Sequence, residues 1–194
     1  MTASLNNTSA IILAGGKSSR MGANKADLMW NGMPLIAHQV QKMRSLGIED
    51  IIISGYEKPI DATRFAPDVF PGKGPLGGIH AGLLAAKNEH CLVLSVDTPL
   101  VSVDTLSALI SAHIAGERSI TVLSHVGLIE PLIGVYERSL SGIAEDILQT
   151  EKTSVRVLFD KAGVACYEYT GDEALLRNCN TPDEYNNMLK YSGR

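Results

Sequence analysis

The chain has 194 residues, 17 basic and 21 acidic side chains for a formal charge of −4, 45% hydrophobic residues and three cysteines. That length buries a substantial core in one domain without disulfides or a structural metal. The mild acidity excludes a broad basic face for a nucleic-acid duplex, and no apolar run approaches the roughly 18 residues of a membrane span.

Residues 1–9 are polar, with neither the basic start nor the apolar stretch of a signal peptide. They are expected to form a flexible tail before a single domain over 10–194, in a cytoplasmic protein. Cys91, Cys166 and Cys179 are widely separated and odd in number, so neither a disulfide framework nor a CxxC metal pair is indicated. Cys91 and Cys166 lie in apolar runs and are expected to be small buried hydrophobes.

Short apolar runs alternate with stretches of helical period. This is the pattern of an α/β protein with a mostly parallel sheet and helices on both faces. Strands are predicted at Ala10–Leu13, Ile51–Ser54, Cys91–Val96, Ile120–Ser124, Leu132–Tyr136 and Val164–Tyr169. Pro34 opens the first helix, whose inner face is Ile36, Val40 and Met43, and Gly47 ends it. Glu57 to Gly74 lacks periodicity and is expected to be a surface loop. Ser102 caps a helix with Leu106, Ile110 and either His113 or Ile114 facing inward, and Gly116 stops it. Ser139 and Thr153 are further candidate caps. Thr181-Pro182-Asp183-Glu184 is a capping box with proline at the first helical position. The five histidines show no ligand spacing, and most are expected on helix surfaces or interfaces.

The most informative stretch runs from Leu13 through Ala14, Gly15 and Gly16 to Arg20 and Lys25. Paired glycines at a strand's C-terminal end let the backbone aim several N–H groups into one concavity, which suits a phosphate. Arg20 can fork onto phosphate oxygens, and Lys25 can follow charge as it moves to a leaving group. Two familiar motifs fail here. Gly16-Lys17-Ser18 imitates the end of a P-loop, but the upstream glycine that motif needs is Ile11. Gly72-Lys73-Gly74-Pro75-Leu76-Gly77 fits GxGxxG, but no clear strand precedes it and Pro75 removes a needed donor. Gly74 to Ile79 is read instead as a rigid loop entering a helix, with bare backbone able to lie against a flat ring. A helix-starting turn without a ligand explains that segment equally well.

Leu92 to Val96 is a buried strand that ends in Asp97, and Pro99 stops its continuation. The carboxylate sits on the same sheet edge as the glycine loop, and magnesium is commonly held by one or two carboxylates plus substrate phosphates. Asp97 is therefore the candidate Mg2+ ligand. Glu130 begins a strand where rim exposure is the ordinary explanation. Asn178 and Asn180 precede the last helix, as turn residues or as amides that bind water or metal. No Ser-His-Asp or Cys-His arrangement is legible, so a protein nucleophile is not indicated.

Leu13-Ala14-Gly15-Gly16 with Arg20-Met21-Gly22 and Lys25, then Gly74-Pro75-Leu76-Gly77-Gly78, Asp97-Thr98-Pro99, Pro131-Leu132 and Asn178-x-Asn180-Thr181-Pro182, resemble the molybdenum cofactor guanylyltransferases (MobA type) of the NTP-transferase superfamily. The motifs keep their order over nearly the whole chain. The resemblance implies a Rossmann-like three-layer nucleotidyltransferase fold and a reaction in which the phosphate of molybdopterin attacks the α-phosphorus of GTP. Pyrophosphate leaves and the guanine dinucleotide cofactor forms. It implies Arg20, Lys25 and Asp97 as catalytic residues, with the nucleotide held by Leu13, Ala14, Gly15, Gly16, Lys25, Ser54, Asp68, Gly74, Pro75, Leu76 and Asp97. Mg2+ would sit on Asp97, and Glu130, Asn178 and Asn180 would face the pterin substrate. Asn24 stands where many members carry Asp, Ser54 where some carry a base-contacting Asn, and Glu130 where a neutral residue or His is more common. Partners are then GTP and molybdopterin, with transient contact to proteins that deliver or accept the cofactor, and no nucleic acid or membrane. The alternatives are a CTP-dependent molybdopterin or sugar-phosphate nucleotidyltransferase, or a non-catalytic nucleotide-binding protein.

Overall fold

The computed structural model describes residues 7–15 and 24–191. Its elements in chain order are β1 (Thr8–Leu13), a 3-10 turn at Lys25–Asp27, β2 (Met29–Trp30), β3 (Met33–Pro34), α1 (Leu35–Ser45), β4 (Asp50–Ser54), β5 (Arg64–Ala66), α2 (Pro75–Ala85) and β6 (His90–Ser95). There follow α3 (Val103–Ala115), β7 (Ile120–His125), β8 (Leu128–Glu137), α4 (Ser141–Leu148), α5 (Val155–Ala162), β9 (Ala165–Glu168) and α6 (Pro182–Leu189). Seven strands form one sheet in the order β5-β4-β1-β6-β8-β7-β9. It is parallel except at β8, which runs against both neighbours.

The two-residue period of the strands sorts the core into two layers. Ala10, Ile12, Ile51, Ile53, Leu92 and Leu94 pack on one side with Ile36, Val40 and Met43 of α1 and Leu106, Leu109 and Ile110 of α3. Ile11, Ile52, Cys91 and Val93 pack on the other with Leu76, Ile79 and Leu83 of α2 and with α4 and α5. A methyl on Gly82 would stand 2.4 Å from a methyl carbon of Ile11, so this glycine lets α2 lie close against the central strand. Among the described residues no helix is long and apolar enough to cross a membrane.

All six predicted strands are present. β1 begins two residues early, so Thr8 and Ser9, expected in the tail, are 1% and 0% exposed. Glu57–Gly74 holds the edge strand β5, paired in parallel with β4. It buries only Ala66 and leaves Phe65 exposed, so three residues carry no legible alternation. β2 and β3 flank Asn31-Gly32, both at positive φ, a hairpin turn of the Asn-Gly kind.

Ser102 and Thr181 cap as expected. Ser139 and Thr153 do not, since α4 and α5 follow Leu140 and Ser154. Cys91 and Cys179 are buried, but Cys166 is exposed because it lies on the outer side of edge strand β9. His80 is buried rather than on a surface, and of the two candidates for the inner face of α3 it is His113 that is buried, while Ile114 is exposed.

Asp50 ties down the N-terminal end of the sheet. Its carboxylate accepts from Ser9 Oγ at 2.6 Å, Lys87 N–H at 2.9 Å and Arg64 Nη2 at 2.5 Å. Burial alone would raise its pKa, but these donors together hold it below the ordinary 3.8. Its stabilising contribution is thus present above that value and is lost as pH falls through the depressed one. Asp50→Ala is expected to lower unfolding free energy at pH 7 by about 1–3 kcal/mol and to flatten the acid limb of stability against pH, both measured by urea denaturation.

Candidate functional site

The C-terminal ends of β4, β1 and β6 lie side by side, and backbone bonds extend the sheet beyond them. Ala14 N–H donates to Ser54 O at 2.8 Å and Val96 N–H to Leu13 O at 2.9 Å. Ligands of open α/β sheets bind beyond this edge. Gly15 leaves β1 here and passes against Gly55, whose φ is +82° and on which a methyl would stand 2.3 Å from the Gly15 Cα. Gly55 carried no signal of its own in the sequence, because its constraint comes from a chain segment forty residues away.

A cleft of about 670 Å3 opens beside this contact, lined by Leu13, Gly15, Ser54, Gly55, Asp68, Gly72, Gly74, Pro75, Gly78, Ser95 and Leu132. Asp68 accepts the Phe70 N–H at 3.0 Å, which fixes its carboxylate next to the start of α2. Pro75 occupies the first helical turn after Gly74, at φ +71°, so the Gly74 segment is both a helix start and a cleft wall. Ala14 is buried, and its main chain is bound to Ser54 O. Leu76 departs from expectation: its side chain is 0% exposed in the layer under the sheet, because the helix turns it away from the cleft. Gly16 and Arg20 lie outside the described residues.

Lys25 rides on the 3-10 turn that Asn24 caps by accepting Ala26 N–H at 3.0 Å. Asn therefore does here what Asp would do as a cap. The turn is braced by Asp27, which accepts from Tyr56 Oη and Lys58 Nζ, each at 2.7 Å. From this base the Lys25 ammonium reaches Asp97 Oδ2 at 2.9 Å and Asn180 Oδ1 at 2.5 Å. The other carboxylate oxygen of Asp97 accepts from Ser95 Oγ at 2.5 Å, and its carbonyl accepts Cys179 N–H at 2.9 Å. Asn180 is held in turn by Glu184, which accepts the N–H groups of Asn180 and Thr181 at 2.7 and 2.9 Å. Three segments distant in sequence thus converge on one charge.

That convergence bears on a divalent cation. A positive group already sits between a carboxylate oxygen and an amide oxygen, both hard donors of the kind magnesium prefers. Among the described residues no group of three or more His, Cys, Asp or Glu forms a closed cage. Asp97 and Asn180 therefore fit a cation shared with a ligand's phosphates.

A second cleft, about 570 Å3, lies across Pro75, Ser95 and Leu132 from the first and is lined also by Asp97, Thr98, Glu130, Pro131, Ile133, Thr153 to Arg156, Asn178 and Asn180. Glu130, Asn178 and Asn180 are brought together as expected. Glu130 is half-buried and lines this cleft, so it is an inward-facing acid here rather than a solvated rim residue, and burial and the nearby Asp97 raise its pKa above the ordinary value. Thr153, Ser154 and Arg156 at the start of α5 were missed, because the sequence shows them only as a polar stretch before a helix. The two clefts share Pro75, Ser95 and Leu132, and Asp97 and Asn180, the partners of the Lys25 ammonium, line the second.

Residues 10–165 match the MobA-like NTP transferase domain. The chain belongs to the MobA-like NTP transferase family. A probable molybdenum cofactor guanylyltransferase of Carboxydothermus hydrogenoformans is 33% identical over 198 residues, covering 96% of this chain and 97% of that one. The molybdenum cofactor guanylyltransferase of Pseudomonas fluorescens is 36% identical over 183 residues, 90% of each chain. In fold, this NTP transferase is similar to molybdopterin-guanine dinucleotide biosynthesis protein A of Archaeoglobus fulgidus, with TM-score 0.76, 23% identity and coverage of 94% and 97%.

The close Gly15–Gly55 passage makes a sharp prediction for this transferase. Gly55→Ala introduces both a clash and an L-residue at positive φ. It is expected to cost about 1–3 kcal/mol in stability and to weaken nucleotide binding. Urea denaturation and calorimetric titration measure the two effects, and wild-type values in both would contradict the role of this contact.

Proposed function

We propose that the protein transfers GMP from GTP to molybdopterin, releasing pyrophosphate and forming the molybdopterin guanine dinucleotide. The carrying observation is the pair of clefts that share a wall at Pro75, Ser95 and Leu132, with Asp97 and Asn180, both bonded to the Lys25 ammonium, in the second. GTP fits the glycine-walled cleft, molybdopterin the cleft of Glu130, Arg156 and Asn178, and the reacting phosphates the junction. Asp68 supports guanine, since one carboxylate can accept from two adjacent N–H groups and guanine presents two along one edge.

The attacking group is an oxygen of the molybdopterin phosphate, already anionic, so no protein base is required. Its bond to the α-phosphorus forms as the bond from that phosphorus to the bridging oxygen of pyrophosphate breaks. The protein's part is alignment and charge balance. Gly15, with Gly16, offers backbone donors to the phosphates. Lys25, with Arg20, balances negative charge as it shifts to the leaving group. Asp97 and Asn180 would hold Mg2+, which when bound supplies electrophilic stabilisation of the α-phosphate and pyrophosphate.

The test is pyrophosphate release with molybdopterin and each of the four NTPs in the presence of Mg2+. Release with GTP alone is expected. Release with CTP or UTP alone would move the base assignment, and GTP binding without release would make this a binding protein. Lys25→Ala is expected to lower kcat by about 10²–10³-fold with a smaller loss of GTP affinity. Asp97→Ala should abolish Mg2+-dependent turnover while the far-ultraviolet circular dichroism stays that of the folded protein.

A further inference from the structure

The loop that presents Asp97 is gripped from beneath by one face of α1, through polar groups that are costly to bury. Gln39 and Lys42 are 0% and 7% exposed. Gln39 Nε2 donates to the Ser95 carbonyl at 3.1 Å, and Lys42 Nζ donates to the Pro99 carbonyl at 2.8 Å. His38 Nε2 lies 3.4 Å from the same Pro99 oxygen. The two carbonyls bracket Asp97 in sequence, and Thr98 Oγ1 closes the loop on Ser95 O at 3.0 Å.

Neither anchoring side chain is explained by packing alone. An apolar residue at position 42 would fill the same space without desolvating an ammonium group. Among the described residues no carboxylate lies within ion-pairing distance of Lys42, and burial pushes its pKa down to about 7. Gln39 Oε1 is buried with no hydrogen-bond partner, so this amide too sits at a penalty. What both residues add is a donor aimed at the loop: one holds its first carbonyl, the other its last. Neither residue touches either cleft.

We propose that Lys42 and Gln39 are positioning residues for Asp97, fixing residues 95–99 so that the carboxylate faces Lys25, Asn180 and the divalent cation. The inference rests on Asp97 as the cation-holding residue. A cation is sensitive to the orientation of a single carboxylate, and loss of groups that orient a metal ligand weakens binding by about 10–100-fold.

Lys42→Met keeps most of the side-chain volume and removes the donor. With the full-length protein and GTP, Mn2+ binding followed by electron paramagnetic resonance is expected to weaken about tenfold, with kcat reduced and the KM for GTP unchanged. Introduced into Asp97→Asn, the same change is expected to add no further loss of metal affinity, because the two act in one chain of contacts. Wild-type Mn2+ affinity in folded Lys42→Met, or an undiminished additional loss in the Asp97→Asn background, overturns the proposal. If Lys42→Met does not fold, Gln39→Leu takes its place with the same expectation, and wild-type metal affinity there overturns it. Failure of the underlying reading has a different signature: Asp97→Asn itself would bind Mn2+ as the wild type does, which removes the proposal's basis as well.

Discussion

Lys25, Asp97 and Asn180 come from the segment after the first strand, the end of the fourth strand in the sheet order, and the approach to the last helix. Nothing local in sequence keeps them together. What does is the meeting of a positive charge with two oxygens, 15–18% exposed at the ion pair itself, where solvent screens it less than at an open surface. Beside that meeting the molecule divides its space: a cleft on the acidic side that Asp97 and Asn180 line, a cleft on the glycine side, and a shared wall of Pro75, Ser95 and Leu132. Each of the three partners is independently braced. Asp27 steadies the turn of Lys25, Ser95 Oγ and Cys179 N–H hold Asp97, and Glu184 fixes Asn180. The junction is thus braced by the chain's own contacts, as the proposed catalysis by alignment requires.

The sheet supports this arrangement by its order. With β1 central and β4 and β6 in parallel on either side, three strand ends open toward the same edge. The reversal at β8 brings Glu130 to the far side of Asp97, because the strand runs back from that edge rather than toward it. Sheet direction therefore places the second cleft as directly as the glycine loop places the first.

Most of the fold was legible because buried parallel strands read as continuous apolar runs, and helices announce themselves through caps such as Ser102 and Thr181. What was not legible had little pattern to offer. β5 is three residues with one buried side chain, and α5 begins without a side-chain cap. Of the candidate site, the residues carried by turns and strand ends stood out: Gly15, Gly74, Asp97 and Asn180. Gly55, Gln39 and Lys42 did not, since each owes its importance to a partner far away in the chain. Leu76 went the other way: it sits inside a motif, yet the helix rotates its side chain into the core.

The family match ends at residue 165, but Asn180 and the Cys179 N–H that meets Asp97 lie beyond it. The Tyr185 hydroxyl also reaches back to the Met29 carbonyl at 2.6 Å. The same segment packs Leu176, Cys179 and Met188 into the layer of α1 and α3, so one stretch of chain completes both that layer and the partners of Lys25. Only when the segment around residue 180 has left the ribosome can Lys25 acquire its second oxygen partner. Completion of that layer and assembly of the proposed site are thereby coupled, since both wait on the segment around residue 180.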